Sequence, residues 1–151
     1  MLEVTNNKFA LYCERMLNKT GKGSYLSTNF TFAIVYQLEK IADEFKYIFD
    51  YISENKIKLS SGTIMLYEKI SEMFNLCHRI YYDFDKNSAD LLTAERKNII
   101  VASEKLFKAV NKNEAKIISN IVNVTQFIFN ILGCIISLSF HTDLKPAVKG
   151  E

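Results

Sequence analysis

Glu39 and Asp43 are the side chains whose type and spacing best suit chemistry in this chain. They stand four residues apart in Gln37-Leu38-Glu39-Lys40-Ile41-Ala42-Asp43-Glu44-Phe45. A step of four is one helical turn, so both carboxylates fall on one face. Paired oxygen ligands of this kind hold a hard divalent cation but cannot complete its coordination shell. Mg²⁺, which keeps waters, suits such a partial site; Fe or Mn needs further carboxylate or imidazole ligands, and Zn is the remaining divalent candidate. Asp50 and Glu54, and Glu68 and Glu72, repeat the spacing. The pair therefore also reads as an ordinary solvated acidic face beside an apolar seam.

No other constellation has comparable support. His78 and His141 are the only histidines, and neither has a His or Cys one helical turn away. Gly21-Lys22-Gly23-Ser24 lacks the spacing and preceding strand of a phosphate-binding loop, and reads as a helix connection. No Ser-His-Asp or Cys-His set has local context, so a non-enzymatic protein is expected. With 19 basic and 17 acidic residues, the charge is too balanced for a nucleic-acid-binding face on this chain. Cys13, Cys77 and Cys134 are odd in number and match no zinc or redox spacing, which predicts reduced thiols and a cytoplasmic location.

The elements that must position these residues are helical. One Pro and five Gly in 151 residues suit long helices and one domain, spanning 1–151. Apolar residues recur at steps of three and four in five segments, about 6–18, 28–54, 61–86, 89–110 and 113–140, with 141–151 expected to fray. The seams are Ile34, Leu38, Ile41, Phe45, Ile48 and Ile52; then Tyr67, Ile70, Phe74, Cys77, Tyr81 and Phe84; then Leu92, Ile99, Ala102, Leu106 and Ala109; then Ile117, Ile121, Val124, Ile128, Ile131 and Ile135. Ser27 or Thr28, Ser60-Ser61-Gly62, and Asn87 or Ser88 are the expected caps. Period-two alternation is missing, so no strands are expected. Short connections favour antiparallel neighbours, and the fold class is all-α: an up-and-down antiparallel bundle of about five helices.

Residues 121–140 carry no charge and meet the length rule for a membrane span. Against a span, Asn120, Asn123, Gln126 and Asn130 form an amide stripe that a lipid-facing helix would have to bury. The alternatives are a central bundle helix and a membrane anchor.

Leu38-Glu39-Lys40-Ile41-Ala42-Asp43, followed by Glu44-Phe45-Lys46-Tyr47-Ile48, resembles the signature helix of the PhoU-like phosphate uptake regulators, archaeal members above all. Tyr12-Cys13-Glu14-Arg15-Met16-Leu17-Asn18-Lys19 and Ile128-Phe129-Asn130-Ile131-Leu132-Gly133 resemble further segments of that family. The resemblance covers roughly 5–140. It implies a helical regulator of phosphate uptake or signalling, with a Glu/Asp-x3-Asp metal motif at Glu39 and Asp43. It also implies a transporter or signalling protein as partner, a homodimer, and contact with the inner face of the membrane only through that partner. If the fifth segment is a second copy of the second, Glu39 corresponds to Val122 and Asp43 to Gln126, so a second cation site is not expected. The other readings are a metal-binding helical protein using Glu39 and Asp43, and a membrane-associated protein anchored by 121–140.

Overall fold

The computed structural model describes residues 2–21 and 23–143. It contains five helices: α1 Leu2–Thr20, α2 Tyr25–Asn55, α3 Ser61–Tyr82, α4 Lys86–Phe107 and α5 Lys112–Asp143. No strand occurs among the described residues. The fold is an all-α bundle, as the apolar spacing predicts; the expected fraying of 141–151 lies mostly outside the described residues.

The starts of α2, α3 and α4 each follow from a polar side chain placed to accept exposed backbone N–H groups. Ser24 caps α2 by accepting from Ser27 N at 3.1 Å, three residues before the expected cap. Ser60 caps α3, accepting from Thr63 N at 3.3 Å. Asp85 caps α4, accepting from Asn87 N and Ser88 N at 2.9 Å each. Those hydrogen bonds from Ser88 and Asn87 favour the charged carboxylate and lower its pKa. One carboxylate that satisfies two donors displaces Asn87 and Ser88 from the capping role. It also starts α4 early enough to end α3 at Tyr82 rather than at 86.

The pairing of helices differs from simple sequential neighbours. α1 packs on α2, α3 on α4, and α4 on α5, but the backbones of α2 and α3 do not approach closely. α2 runs instead along α5, which also touches α3 and α4. The cause lies in side-chain size: Phe45 and Tyr67 meet edge-to-face at 5.8 Å between ring centroids and hold α2 and α3 apart. Gly62 does the reverse for α3 and α4, since a Cβ there would come within 2.6 Å of Leu106 Cδ2.

α5 is therefore the centre of the molecule. Its seam is buried along its whole length, from Ile117 to Ile135. Facing it are Ile34, Ile41 and Ile48 of α2, Ile70 and Cys77 of α3, and Leu92 and Ile99 of α4. The helix is long and apolar enough to cross a membrane by length and composition. In this fold its middle is core.

The amide stripe becomes a polar edge where α5 meets α2 and α4. Asn123 Nδ2 donates to Glu44 Oε1 at 3.1 Å, and Asn130 Nδ2 to Gln37 Oε1 at 3.3 Å. Arg96 donates from Nε and Nη2 to Gln126 Oε1 and stacks over Phe129 at 4.6 Å. Gln126 is half-buried and finds its partner in Arg96, whereas the exposed Asn123 and Asn130 mark the rim where α2 meets α5.

Candidate functional site

Glu39 and Asp43 lie in the middle of α2, half-buried, on the side toward α1 and solvent. The helix brings them onto one face, as the spacing requires. Lys40 Nζ sits 3.4 Å from Asp43 Oδ2 and 5.2 Å from the centre of the Tyr36 ring. Burial opposes the Lys40 charge, but Asp43 and Glu39 outweigh it and raise the ammonium's pKa. Asp43 is thus already partnered by a cation supplied from its own helix. Among the described residues no group of three or more His, Cys, Asp or Glu side chains comes together. Two carboxylates, one of them held by a lysine, supply only part of a hard cation's shell and leave the rest to water. Glu39→Gln and Asp43→Asn are expected to change unfolding free energy by less than about 0.5 kcal/mol each, the ordinary range for surface positions. Adding millimolar Mg²⁺ or Mn²⁺ should leave the thermal midpoint in place; a rise that vanishes in both variants would reinstate the metal.

The more prominent feature is an apolar trough. Because α2 and α3 stand apart, a cavity of ≈ 220 Å³ opens between them, lined by Leu38, Phe74, Cys77, His78, Tyr81 and Tyr82 among others. A second, of ≈ 410 Å³, lies beneath α1 and shares Val35, Leu38 and Phe74 with the first. The two adjoin across these three residues, with α2 beneath both, α1 over the second and α3 beside the first. Leu38, a seam residue, is 40% exposed here. Phe9, Tyr12 and Met16 are exposed on α1, and Tyr82 is 75% exposed on α3. His78 is exposed at the lip and meets Tyr82 edge-on at 5.0 Å. The side chain of His141 lies outside the described residues.

Lys8, Arg15 and Lys19 are exposed on α1, and their spacing places them on the stripe that carries Tyr12. Glu68 and Glu72 are exposed on α3. None of these charged side chains lines either cavity, and exposed Arg79 shares the α3 stripe with Glu68 and Glu72.

Cys77 closes the base of the trough. Burial pushes its thiol up to about 12, and Sγ donates to Ile128 O at 3.8 Å. Cys134 is shifted upward by the same cause. Neither is an activated nucleophile, since the thiolate is the reactive form.

One buried polar cluster has no signal in the local sequence. Glu114, in the first turn of α5, is 4% exposed. Its Oε1 accepts from Ser60 N at 2.7 Å and from Thr63 Oγ1 at 2.6 Å. The carboxylate therefore sits at the positive N-terminus of α3 and joins it to α5. All its chemistry is spent on structure.

Comparison of the chain with protein-family models, with curated proteins and with solved structures finds no match.

Proposed function

We propose that the chain is a non-enzymatic regulator of PhoU type, which docks a helical face on a transporter or signalling protein in phosphate uptake and acts as a homodimer. The observation that supports docking is the apolar trough over Val35, Leu38 and Phe74, walled by Phe9 and Tyr82. Its shape suits an amphipathic helix laid lengthwise, anchored at steps of three and four. The phosphate context comes from the resemblance of Leu38–Ile48 to the family's signature helix. Glu39 and Asp43 serve in this reading as the solvated rim of α2, not as a metal site.

Leu38→Glu and Tyr82→Glu place charge in the trough at exposed positions, so both variants should fold with near-native stability. In the native host, deletion should alter phosphate uptake, wild type should restore it, and the two variants should not. Full restoration by both variants, or a deletion without effect on phosphate uptake, would refute the proposal.

A further inference from the structure

The two ends of the bundle are built from different chemistry. At one end lie the α2–α3 and α4–α5 connections, with Lys56, Lys58, Lys108 and Lys112 all exposed. At the other, α2 begins and α5 ends. Residues 24–38 and 117–142 contain no Asp, Glu, Lys or Arg. The bonds Gln37–Asn130 and Glu44–Asn123 align these two stretches antiparallel, side by side. An uncharged half of α2 is therefore paired with the uncharged half of α5.

This end also projects. Arg96 bonds Gln126, so antiparallel α4 begins, at Lys86, about level with residue 136. α3 runs parallel to α5, with Cys77 against Ile128, and ends at Tyr82, about level with residue 133. α5 continues to Asp143, and α2 accompanies it from Tyr25. The pair thus extends about two turns, on the order of 10 Å, past α4. Tyr25 (81% exposed), Leu26 and Phe140 (64%) are its outermost apolar side chains.

Four hydroxyls of this tip bond back within their own helices. Thr28 Oγ1 donates to Ser24 O, and Thr31 Oγ1 to Ser27 O. Ser137 Oγ donates to Gly133 O, and Ser139 Oγ to Ile136 O. Hydroxyls that bond back to the preceding turn are tolerated in apolar surroundings, where an unpaired hydroxyl is not. Among the described residues, the exposed base nearest the tip is Lys19, at the end of α1. The acids of the α3–α4 corner, Asp83 and Asp85, lie further back, and Asp143 ends α5 one turn beyond Phe140; together they limit any insertion to shallow depth.

We propose that this α2/α5 tip is a lipid-docking element, in which Tyr25, Leu26 and Phe140 insert to headgroup depth in a membrane surface while the rest of the bundle stays in water. A convex, aromatic-tipped projection, uncharged over 24–38 and 117–142 and closed by Asp143 at the end of α5, matches a bilayer interface, where Tyr and other aromatic rings are preferred. A protein partner for so protruding a tip would need a matching hollow. The element differs from a span by 121–140, because Ile121, Val124, Ile128 and Leu132 are enclosed by the bundle and only the last turns of α5 are open.

The chain has no Trp, so single tryptophans report cleanly. Tyr25→Trp and Phe140→Trp should each show blue-shifted emission on adding phosphatidylcholine/phosphatidylglycerol vesicles (3:1), while Tyr47→Trp, exposed in the distal half of α2, should not. The triple variant Tyr25→Ser, Leu26→Ser, Phe140→Ser should lower vesicle co-flotation of the full chain by at least about tenfold, from the apolar area removed. No emission shift in either Tyr25→Trp or Phe140→Trp, an equal shift in Tyr47→Trp, or unchanged flotation of the triple variant would overturn the proposal. So would a wild-type dimer that ignores vesicles and becomes monomeric in the triple variant, since the tip would then bind a second copy. The trough variants Leu38→Glu and Tyr82→Glu leave the tip intact, so this proposal and the trough reading fail separately.

Discussion

Glu114→Ala should lower the unfolding free energy by about 3 kcal/mol, from loss of charge-assisted bonds and the unpaired donors left behind. Thr63, the donor to Glu114, is itself fully buried, so its hydroxyl would keep only the Ser60 hydroxyl at 3.2 Å. The Ser60 N–H would lose its acceptor at the start of α3. Glu114→Gln keeps one acceptor oxygen and should cost roughly half as much. Urea unfolding of the three proteins measures both; a loss under about 1 kcal/mol for the alanine would show that water replaces the carboxylate. The pH dependence carries its own signature. Burial alone would raise the Glu114 pKa, but hydrogen bonds from Ser60 and Thr63 outweigh it and hold the group below its ordinary 4.5. The folded state therefore takes up this proton less readily than the unfolded chain. The contribution is complete above the ordinary value and is lost as pH falls through the depressed one. Wild type should lose stability more steeply than Glu114→Gln below about pH 4.5.

Why this cluster was illegible is a matter of distance along the chain. Glu114 meets Ser60 and Thr63 across 54 and 51 residues. Local spacing identifies Ser60 as a cap, but not the carboxylate that completes it. The seams show the same boundary. Every seam residue expected in α5 is buried, because three helices surround it and a small rotation costs nothing. On α2 only Ile34, Ile41 and Ile48 are buried, since these face α5, while Leu38, Phe45 and Ile52 turn toward the α3 side, where the backbone stands off. On α3 the buried set includes Leu66, Met73, Leu76 and Ile80, because α4 and α5 cover it together and rotate the seam away from Tyr67, while Phe84 falls beyond the end of the helix. Ala109 falls beyond the end of α4 and is exposed. Periodicity reports which residues can share a face; the neighbours decide which face is covered.

The carboxylate pair illustrates a second limit. Glu39 and Asp43 share a face in the sequence and in the fold, yet Lys40, three residues before Asp43, takes the second carboxylate. Helical spacing allows steps of three and four alike, so it cannot rank an acid–acid pair bridged by a cation above an internal ion pair. The trough was half legible. Leu38 and Phe74 are both seam residues, and excess aromatic residues off the α2 seam imply a further covering surface. What periodicity could not supply was the separation of α2 from α3 that leaves the seam open.

Ile128→Ala tests the enclosure of α5 most directly and should cost about 3–4 kcal/mol, within the range for buried large-to-small changes. Ile128 is fully buried, and its carbonyl receives the thiol of Cys77, itself 3% exposed. Truncation removes three carbons where α3 and α5 meet, and the ridges around it cannot collapse without moving α5, which also holds α2 and α4. Leu91→Ala, at a 53% exposed position on α4, should cost under about 1 kcal/mol and serves as the matched control. The comparison separates two structures as well as two residues. If residues 121–132 faced lipid, the side chain at 128 would contribute nothing to the fold in water, and its truncation would be as mild as that of Leu91. If α5 is the shared centre of the bundle, Ile128→Ala removes roughly a third of a typical domain's net stability of about 10 kcal/mol. Urea unfolding in detergent-free buffer decides between them. A large loss at 128 beside a small one at 91 requires that the middle of α5 be enclosed by protein, leaving only its final turns for contact with anything else.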